Sequence, residues 1–302
     1  MTSPECKTAV YSTVDNVDIA LDFTLPSAAG PNHRVPILLW FHGGGLLQGT
    51  RKGIWPHLRN APEKHGLCLV SADYRLAPQT RLPGIMADLV SIMAYLRSPA
   101  FSSITGDSVD QSKIIVSGGS AGGWLALLIG SGVGFRACGL QPPEKPLAIA
   151  PIYPITDLLN PFWITKQHPV SYYPRIIDRS ELEPYLDPHA EVTSFSTLDS
   201  PRAKFYHYMD LLLESTGIDP KEFGIAPAIA SEEYTIPPMY IVHGSIDDKV
   251  PIQQSIDVVN ACESRGLPVT FDNIDGADHL FDMDEKYTMD NMYSFIDSVI
   301  KG

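Results

Sequence analysis

One short segment, residues 113–123, constrains the fold of this chain more than any other stretch. It reads KIIVSGGSAGG, a β-branched run followed by small residues, and an apolar helical pattern begins directly after it at Trp124. This succession predicts a buried strand that turns sharply into a helix, with Ser120 at the corner. Gly118 and Gly122 let the strand and the helix pack closely, which leaves the serine strained and exposed. The segment therefore predicts a tight turn that presents one hydroxyl group beside the start of a helix.

Strand patterns and helical patterns alternate on both sides of this segment. Residues 7–14 and 17–24 show strand alternation around Asp15-Asn16, which predicts an opening hairpin. Further buried strands are predicted at 35–41, 67–71, 147–150, 239–242 and 269–274, and helices at 84–97, 252–265 and 284–300. The alternation predicts a single α/β domain over residues 1–302, with a mostly parallel central sheet and helices on both faces. Loops beyond the carboxyl ends of such strands are where chemistry is expected.

Residues 153–236 interrupt the alternation. This stretch contains 12 of the 28 aromatic residues and many prolines. It is too long and too apolar for a solvated loop, so we expect an inserted lid that supplies an aromatic pocket. A separate small packed core is the alternative explanation for any one of its aromatic side chains.

Three successive glycines follow the strand predicted at 35–41, in the tetrad His42-Gly43-Gly44-Gly45. A loop of this kind can bring backbone N–H groups close to a ligand, where they can stabilise a negatively charged oxygen. We expect His42 to organise this loop through hydrogen bonds and not to act as a base. A purely structural glycine turn is the alternative.

A serine hydroxyl needs a base to take its proton and an acid to orient that base. Both residue types follow strands late in the chain: His243-Gly-Ser-Ile-Asp247-Asp248 comes after the strand at 239–242, and Gly-Ala-Asp-His279 comes after the strand at 269–274. Either aspartate could supply the acid. Asp247 is preferred because it comes first after the turn, where the strand end would aim it at His279. Serine, aspartate and histidine then follow in the chain order associated with a nucleophile elbow.

Composition and charge exclude several other classes of protein. The net charge is −13, with 22 basic and 35 acidic residues, which argues against a nucleic-acid partner and against an anionic membrane surface. The four cysteines form no metal-ligand spacing and predict free thiols, so no metal is expected. The amino terminus lacks the apolar core of a secretion signal, and no apolar run reaches membrane-spanning length. The expected location is the cytoplasm, with a homodimer as one option for the oligomeric state.

The tetrad at 42–45, the run DYRLAP at 73–78 and the run GGSAGG at 118–123 together resemble the hormone-sensitive-lipase-like esterases of the α/β-hydrolase fold. The resemblance covers nearly all of the sheet-forming chain. It implies that Ser120 is the nucleophile, Asp247 the orienting acid and His279 the general base. The oxyanion donors that it implies are the amide N–H groups of Gly44, Gly45 and Ala121, with Gly43 as a further candidate.

The sequence departs from that family at two points. Gly119 stands where the family usually has an aspartate, and only 41 residues precede His42, whereas the family builds its cap largely from an amino-terminal extension. The aromatic stretch at 153–236 must then form the cap. These departures bear on the substrate class more than on the chemistry.

The sequence thus predicts a serine hydrolase that cleaves a carboxylic ester of a small hydrophobic or aromatic metabolite, without metal or organic cofactor. The alternative is a thioesterase-type or lactonase-type enzyme that releases or cyclises an acyl group in a biosynthetic pathway. A hydrolase-like protein that only binds ligands is the third hypothesis. The aromatic side chains expected to contact the substrate are Trp124, Tyr172, Tyr173 and Tyr206.

Overall fold

A single eight-stranded sheet organises the chain. The computed structural model describes residues 5–164, 175, 178–187, 189–197, 200, 202 and 216–302. The strands are β1 (Cys6–Val14), β2 (Val17–Thr24), β3 (Val35–Phe41), β4 (Cys68–Ala72), β5 (Val109–Gly119), β6 (Ala148–Ile152), β7 (Met239–Gly244) and β8 (Val269–Ile274). Their spatial order is β1-β2-β4-β3-β5-β6-β7-β8. The first two pairings are antiparallel and all the others are parallel.

Helices cover both faces of this sheet. They are α1 (Pro56–His65), α2 (Leu82–Leu96), α3 (Pro99–Ile104), α4 (Ala121–Ser131), α5 (Pro161–Ile164), α6 (Glu183–Leu186), α7 (Ile225–Ala230), α8 (Gln253–Ser264) and α9 (Asp290–Lys301). Alternate residues of β3 point to opposite sides: Leu39 belongs to a buried cluster that includes side chains of α2, α4 and α8, and Trp40 belongs to a second cluster that includes side chains of α1 and α9. Burial of apolar side chains on both faces explains why the central strands are continuous apolar runs.

The predicted fold class is confirmed, since the sheet is mostly parallel and has helices on both faces. The predicted hairpin turns at Asp15 and Asn16, whose φ angles are 51° and 64°. The closing helix begins later than predicted, at Asp290, because Met289 has a left-handed backbone (φ 57°) that a right-handed helix cannot include. Helices α1 and α3 were not predicted. A mostly polar sequence and the internal Pro62 weaken the helical pattern of α1.

The segment between β6 and β7 is inserted between two neighbouring strands. Its described parts include α5, α6 and α7, and they contact the loop that follows β3: the amide of Ser196 donates to the carbonyl of Gly49 at 2.7 Å. Arg202 donates to the carbonyl of Leu47 at 3.0 Å. Of the helices that the structure describes, none is long and apolar enough to span a bilayer.

Candidate active site

Ser120 occupies the sharp corner between β5 and α4. Its backbone has a φ of 56° and a ψ of −119°, a conformation that a residue with a side chain rarely adopts. Its amide donates to the carbonyl of Ile152 at 2.9 Å, which ties the corner to the end of β6. A methyl group at Gly122 would lie 2.1 Å from the carbonyl oxygen of Phe41, so the close approach of α4 to β3 requires glycine there. The backbone thus fixes the position of the Ser120 hydroxyl.

The glycine loop after β3 lies directly against Ser120. A methyl group on Gly43 would sit 3.2 Å from the Ser120 Cβ atom. Gly44 and Gly45 have φ angles of 98° and 64°, which favour glycine. Within the described part of the chain, no group accepts a hydrogen bond from the amides of Gly44, Gly45 or Ala121. These N–H groups are therefore available to a bound oxygen beside Ser120.

His42 holds this loop in shape. Its Nδ1 atom donates to the carbonyl of Gly43 at 2.8 Å, and its ring stacks on Tyr74 with the ring centroids 4.4 Å apart. A side chain at Gly49 would collide with the His42 ring at 2.2 Å, so the loop packs around the imidazole. Burial lowers the pKa of His42 to about 4, although the hydrogen bond to the Gly43 carbonyl acts to raise it. The low pKa keeps the ring neutral. The expectation that His42 organises the loop is confirmed.

Asp247 and His279 meet beyond the carboxyl ends of β7 and β8. The Nδ1 atom of His279 donates to Oδ2 of Asp247 at 2.6 Å. The Asp247 side chain is fully buried, and that of His279 is 5% exposed. With Nδ1 committed to the carboxylate, the Nε2 atom of His279 keeps a lone pair that can accept a proton.

Four groups fix the Asp247 carboxylate. Oδ1 accepts from the amides of Lys249 and Val250, both at 2.9 Å. Oδ2 also lies 3.3 Å from Nε2 of His243. Burial alone would raise the pKa of Asp247, but His279 and His243 outweigh it and hold the pKa well below its ordinary value of 3.8. Asp247 is therefore ionised at neutral pH, as a residue that orients a histidine must be.

A salt bridge that the sequence reasoning missed links the two loops. The Lys249 side chain is 1% exposed and pairs with Asp248 and Asp278. Oδ1 of Asp278 also accepts the amide of His279 at 2.7 Å. Asp278 therefore joins the loop that carries Asp247 to the loop that carries His279. In the sequence, the position of Asp278 directly before His279 was the only sign of this role.

Ser120, His279 and the glycine loop line one cavity of about 880 Å³. Four aromatic rings face it, and the inserted segment between β6 and β7 supplies two of them; the four are Trp40, Trp55, Tyr153 and Trp163. Met283, Ile155 and Leu47 add apolar surface. A cavity of this size and composition suits a small, largely apolar molecule.

The structure corrects the prediction for Trp124. Every residue of α4 is buried, and the Trp124 indole packs edge-on against Phe223 with its N–H 3.4 Å from the Phe223 carbonyl. Trp124 is therefore a core residue, and it is not among the described residues that line the cavity. Tyr172, Tyr173 and Tyr206 lie outside the described residues.

The arrangement is suited to nucleophilic acyl chemistry, because a hydroxyl, a buried imidazole–carboxylate pair and the amides of the glycine loop meet at one cavity. Over the described ranges, no group of three or more His, Cys, Asp or Glu side chains could hold a metal ion.

Comparison with known proteins identifies the family. A family model described as alpha/beta hydrolase fold matches residues 38–283, which is most of the chain. The chain belongs to this family. The matched region includes the glycine loop, Ser120, Asp247 and His279. Membership confirms the predicted α/β-hydrolase fold.

Two kinds of protein resemble this hydrolase. The non-reducing polyketide synthase stbA of Stachybotrys bisbyi is 26% identical over 92% of the chain, and 5-methylorsellinic acid synthase of Aspergillus terreus is 27% identical over 93%. The chain spans only 14% and 12% of the lengths of these two synthases. Among solved structures, esterase 2 of Thermogutta terrifontis phosphoramylated by tabun has a TM-score of 0.67 at 22% identity, covering 100% of this chain and 96% of that one. The butyrate-bound form of that esterase has a TM-score of 0.66 at 23% identity, covering 99% and 94%.

Proposed function

We propose that this hydrolase cleaves a carboxylic ester through a covalent acyl-enzyme on Ser120. One observation carries the proposal: Ser120, the His279 ring held by Asp247 and the amides of the glycine loop all border the same cavity. Each is one of the parts that serine acyl chemistry requires.

In the proposed mechanism, Nε2 of His279 takes the proton from the Ser120 hydroxyl while Oγ attacks the acyl carbon. The amides of Gly44, Gly45 and Ala121 stabilise the negative charge that develops on the carbonyl oxygen. The proton then passes from His279 to the departing alcohol oxygen, and the acyl group stays on Ser120. Water, deprotonated by His279, releases the carboxylic acid and regenerates the serine. Asp247 keeps the imidazole in the required tautomer throughout.

The proposed substrate is an ester of a small hydrophobic or aromatic metabolite. Its support is the apolar cavity, which is lined by the aromatic side chains of Trp40, Trp55, Tyr153 and Trp163. We propose that the insertion between β6 and β7 acts as the lid over this cavity, because Trp163 and Thr197 from that insertion line it.

A second candidate function is the release of an acyl group from a thioester. The similarity to polyketide synthases over more than nine tenths of the chain favours it. The same serine, histidine and amides would serve a thioester or a lactone, with a thiol or a ring hydroxyl as leaving group.

Hydrolysis of p-nitrophenyl esters, from acetate to decanoate and including benzoate, tests the primary proposal. We expect turnover by the wild type, a fall of at least about 10³-fold in Ser120→Ala, and stoichiometric labelling of the wild type alone by a serine-directed phosphonate. Turnover that survives in Ser120→Ala would refute the acyl-enzyme. Failure of both turnover and labelling would favour a protein that only binds ligands.

A matched pair of substrates separates the two candidates. Ethyl benzoate and the benzoyl thioester of N-acetylcysteamine carry the same acyl group, and each rate is divided by the rate of hydroxide-catalysed hydrolysis. A larger enzymatic acceleration for the oxygen ester supports the esterase. A larger acceleration for the thioester supports acyl release.

A further inference from the structure

A buried polar cluster lies next to His279, and its hydrogen bonds have no role in the mechanism above. It consists of Asp282, His57, Tyr153 and Tyr293, and we refer to it as the Asp282 cluster. Nε2 of His57 lies 3.2 Å from Oδ2 of Asp282, and both side chains are fully buried. The Tyr153 hydroxyl donates to Oδ1 of Asp282 at 2.5 Å. Nδ1 of His57 lies 3.0 Å from the Tyr293 hydroxyl.

Such a cluster is costly to build, since burying a carboxylate and an imidazole removes them from water. Tyr153 adds a second cost, because its φ of 36° is unfavourable for a bulky side chain. Strained backbone tends to cluster at active sites and switch regions. The Asp282 cluster is therefore a candidate for a role in the chemistry.

Gly119 gives Tyr153 its place. A methyl group at Gly119 would lie 3.1 Å from both the hydroxyl and the Cε2 atom of Tyr153, and 3.4 Å from Trp40. Any side chain at position 119 would thus compete for space with the Tyr153 ring. The absence of a side chain at position 119 lets the ring reach the active site.

The Tyr153 ring contacts His279 directly. The two ring centroids are 4.5 Å apart, with the ring planes tilted by 51°. Burial, and after it Asp282, raises the pKa of Tyr153, so the hydroxyl remains a hydrogen-bond donor.

His279 becomes a cation when it holds the proton of Ser120. A cation within about 6 Å of an aromatic face is attracted by the electrons of the ring. A phenol that donates to a carboxylate has a more electron-rich ring than a free phenol has. The hydrogen bond from Tyr153 to Asp282 should therefore strengthen this attraction at the moment when His279 is charged.

We propose that Tyr153 is a positioning residue for His279, and that the Asp282 cluster holds its ring where it stabilises the imidazolium of the transition state. This inference rests on the proposed function of Ser120 and His279. Asp247 faces His279 from the loop after β7. On the loop after β8, Asp278 holds the His279 amide and is itself paired with Lys249. Neither of these contacts involves the Asp282 cluster, so its contribution can be measured separately.

Tyr153→Phe keeps the ring and removes the hydroxyl, and Asp282→Asn keeps the shape and removes the charge. For each we expect kcat to fall about 3- to 10-fold with KM unchanged. The acid limb of the pH profile of kcat/KM should move to lower pH by about 0.5–1 unit. A shift of that size corresponds to the same change in free energy as the fall in kcat. If both variants act through one hydrogen bond, the double variant should lose no more than the worse single variant.

Tyr240→Phe is the matched control. Tyr240 is also a buried tyrosine that donates to an aspartate, Asp272, at 2.6 Å, and it does not line the described cavity. We expect its kcat and acid limb to match the wild type. A purely structural role for Tyr153 predicts that Tyr153→Phe and Tyr240→Phe lose thermal stability alike and that neither moves the acid limb, and that result would overturn the proposal.

The same preparations separate this inference from the proposed function. Ser120→Ala and phosphonate labelling test the serine chemistry without reference to Tyr153. If serine-dependent turnover is present and the acid limb of Tyr153→Phe does not move, only the inference fails. Should Tyr153→Phe not fold, Asp282→Asn carries the same expectation, because it leaves every heavy-atom position of the cluster occupied.

Discussion

Asp247→Asn and Asp248→Asn make the same chemical change at adjacent residues, and we expect opposite outcomes. The Asp247 side chain is fully buried and accepts from Nδ1 of His279, whereas the Asp248 side chain is 44% exposed and pairs with Lys249. An amide at position 247 would offer an N–H to Nδ1 of His279, which moves the imidazole proton to Nε2. That tautomer cannot take the proton of Ser120, so kcat should fall about 10⁴-fold.

The same substitution should lower the free energy of unfolding. The carboxylate at position 247 makes four contacts, and the substitution removes its charge from all of them. We expect the free energy of unfolding to fall by about 1–3 kcal/mol at neutral pH. The pKa of Asp247 is lower in the folded protein than in the unfolded chain. Its stabilising contribution is therefore complete above about pH 4 and is lost as the pH falls further. The stability difference between the wild type and Asp247→Asn should consequently shrink below that pH.

Both variants are assayed for kcat with p-nitrophenyl butyrate at pH 7.5, and for stability by urea unfolding at pH 7 and below pH 4. For Asp248→Asn we expect activity within about 2-fold and a stability change under about 1 kcal/mol, as is usual for a half-exposed ion pair. If Asp248→Asn lost activity while Asp247→Asn kept it, the assignment of Asp247 as the orienting acid would be wrong.

Two further predictions concern the frame of the site. Gly122→Ala should lower Tm severely or prevent folding, since its methyl group would lie 2.1 Å from the Phe41 carbonyl oxygen. Gly30→Ala is the control, because nothing lies within 4 Å of its new methyl group, and its Tm should stay within a few degrees of the wild type. Equal melting temperatures for the two variants would contradict the close approach of α4 to β3. Asp278→Asn should lower kcat about 10-fold and lower the free energy of unfolding by about 1–2 kcal/mol, because buried Lys249 loses one of its carboxylate partners. An unchanged kcat would show that this salt bridge does not position His279.

Sequence patterns were sufficient for the sheet and for the position of Ser120. A strand such as β3 is an unbroken apolar run because it is buried on both faces, and its predicted limits, 35–41, match the structure. The corner at Ser120 depends on local chain geometry, which the surrounding glycines reveal. Asp247 and His279 are brought together because they follow neighbouring parallel strands.

The features that the sequence did not reveal depend on contacts between distant residues. Trp124 lies on a helix that is buried on every side, so helical periodicity could not tell a core side chain from one that faces the cavity. The role of Tyr153 depends on its backbone strain and on Asp282, which is 129 residues away in the chain. Gly119 was recognised as a departure from the resembled family, but only the structure shows that the Tyr153 ring fills the vacated space.

The insertion between β6 and β7 lines the cavity and also holds the backbone of the loop that follows β3. Ser196 holds the Gly49 carbonyl, and Arg202 holds those of Leu47 and Ala77. Exchanging this insertion for one from a relative would therefore change substrate range and turnover number together. To widen the pocket, Trp163 should be substituted alone and the backbone contact between Ser196 and Gly49 left intact. Selectivity could then change while the N–H groups beside Ser120 keep their positions.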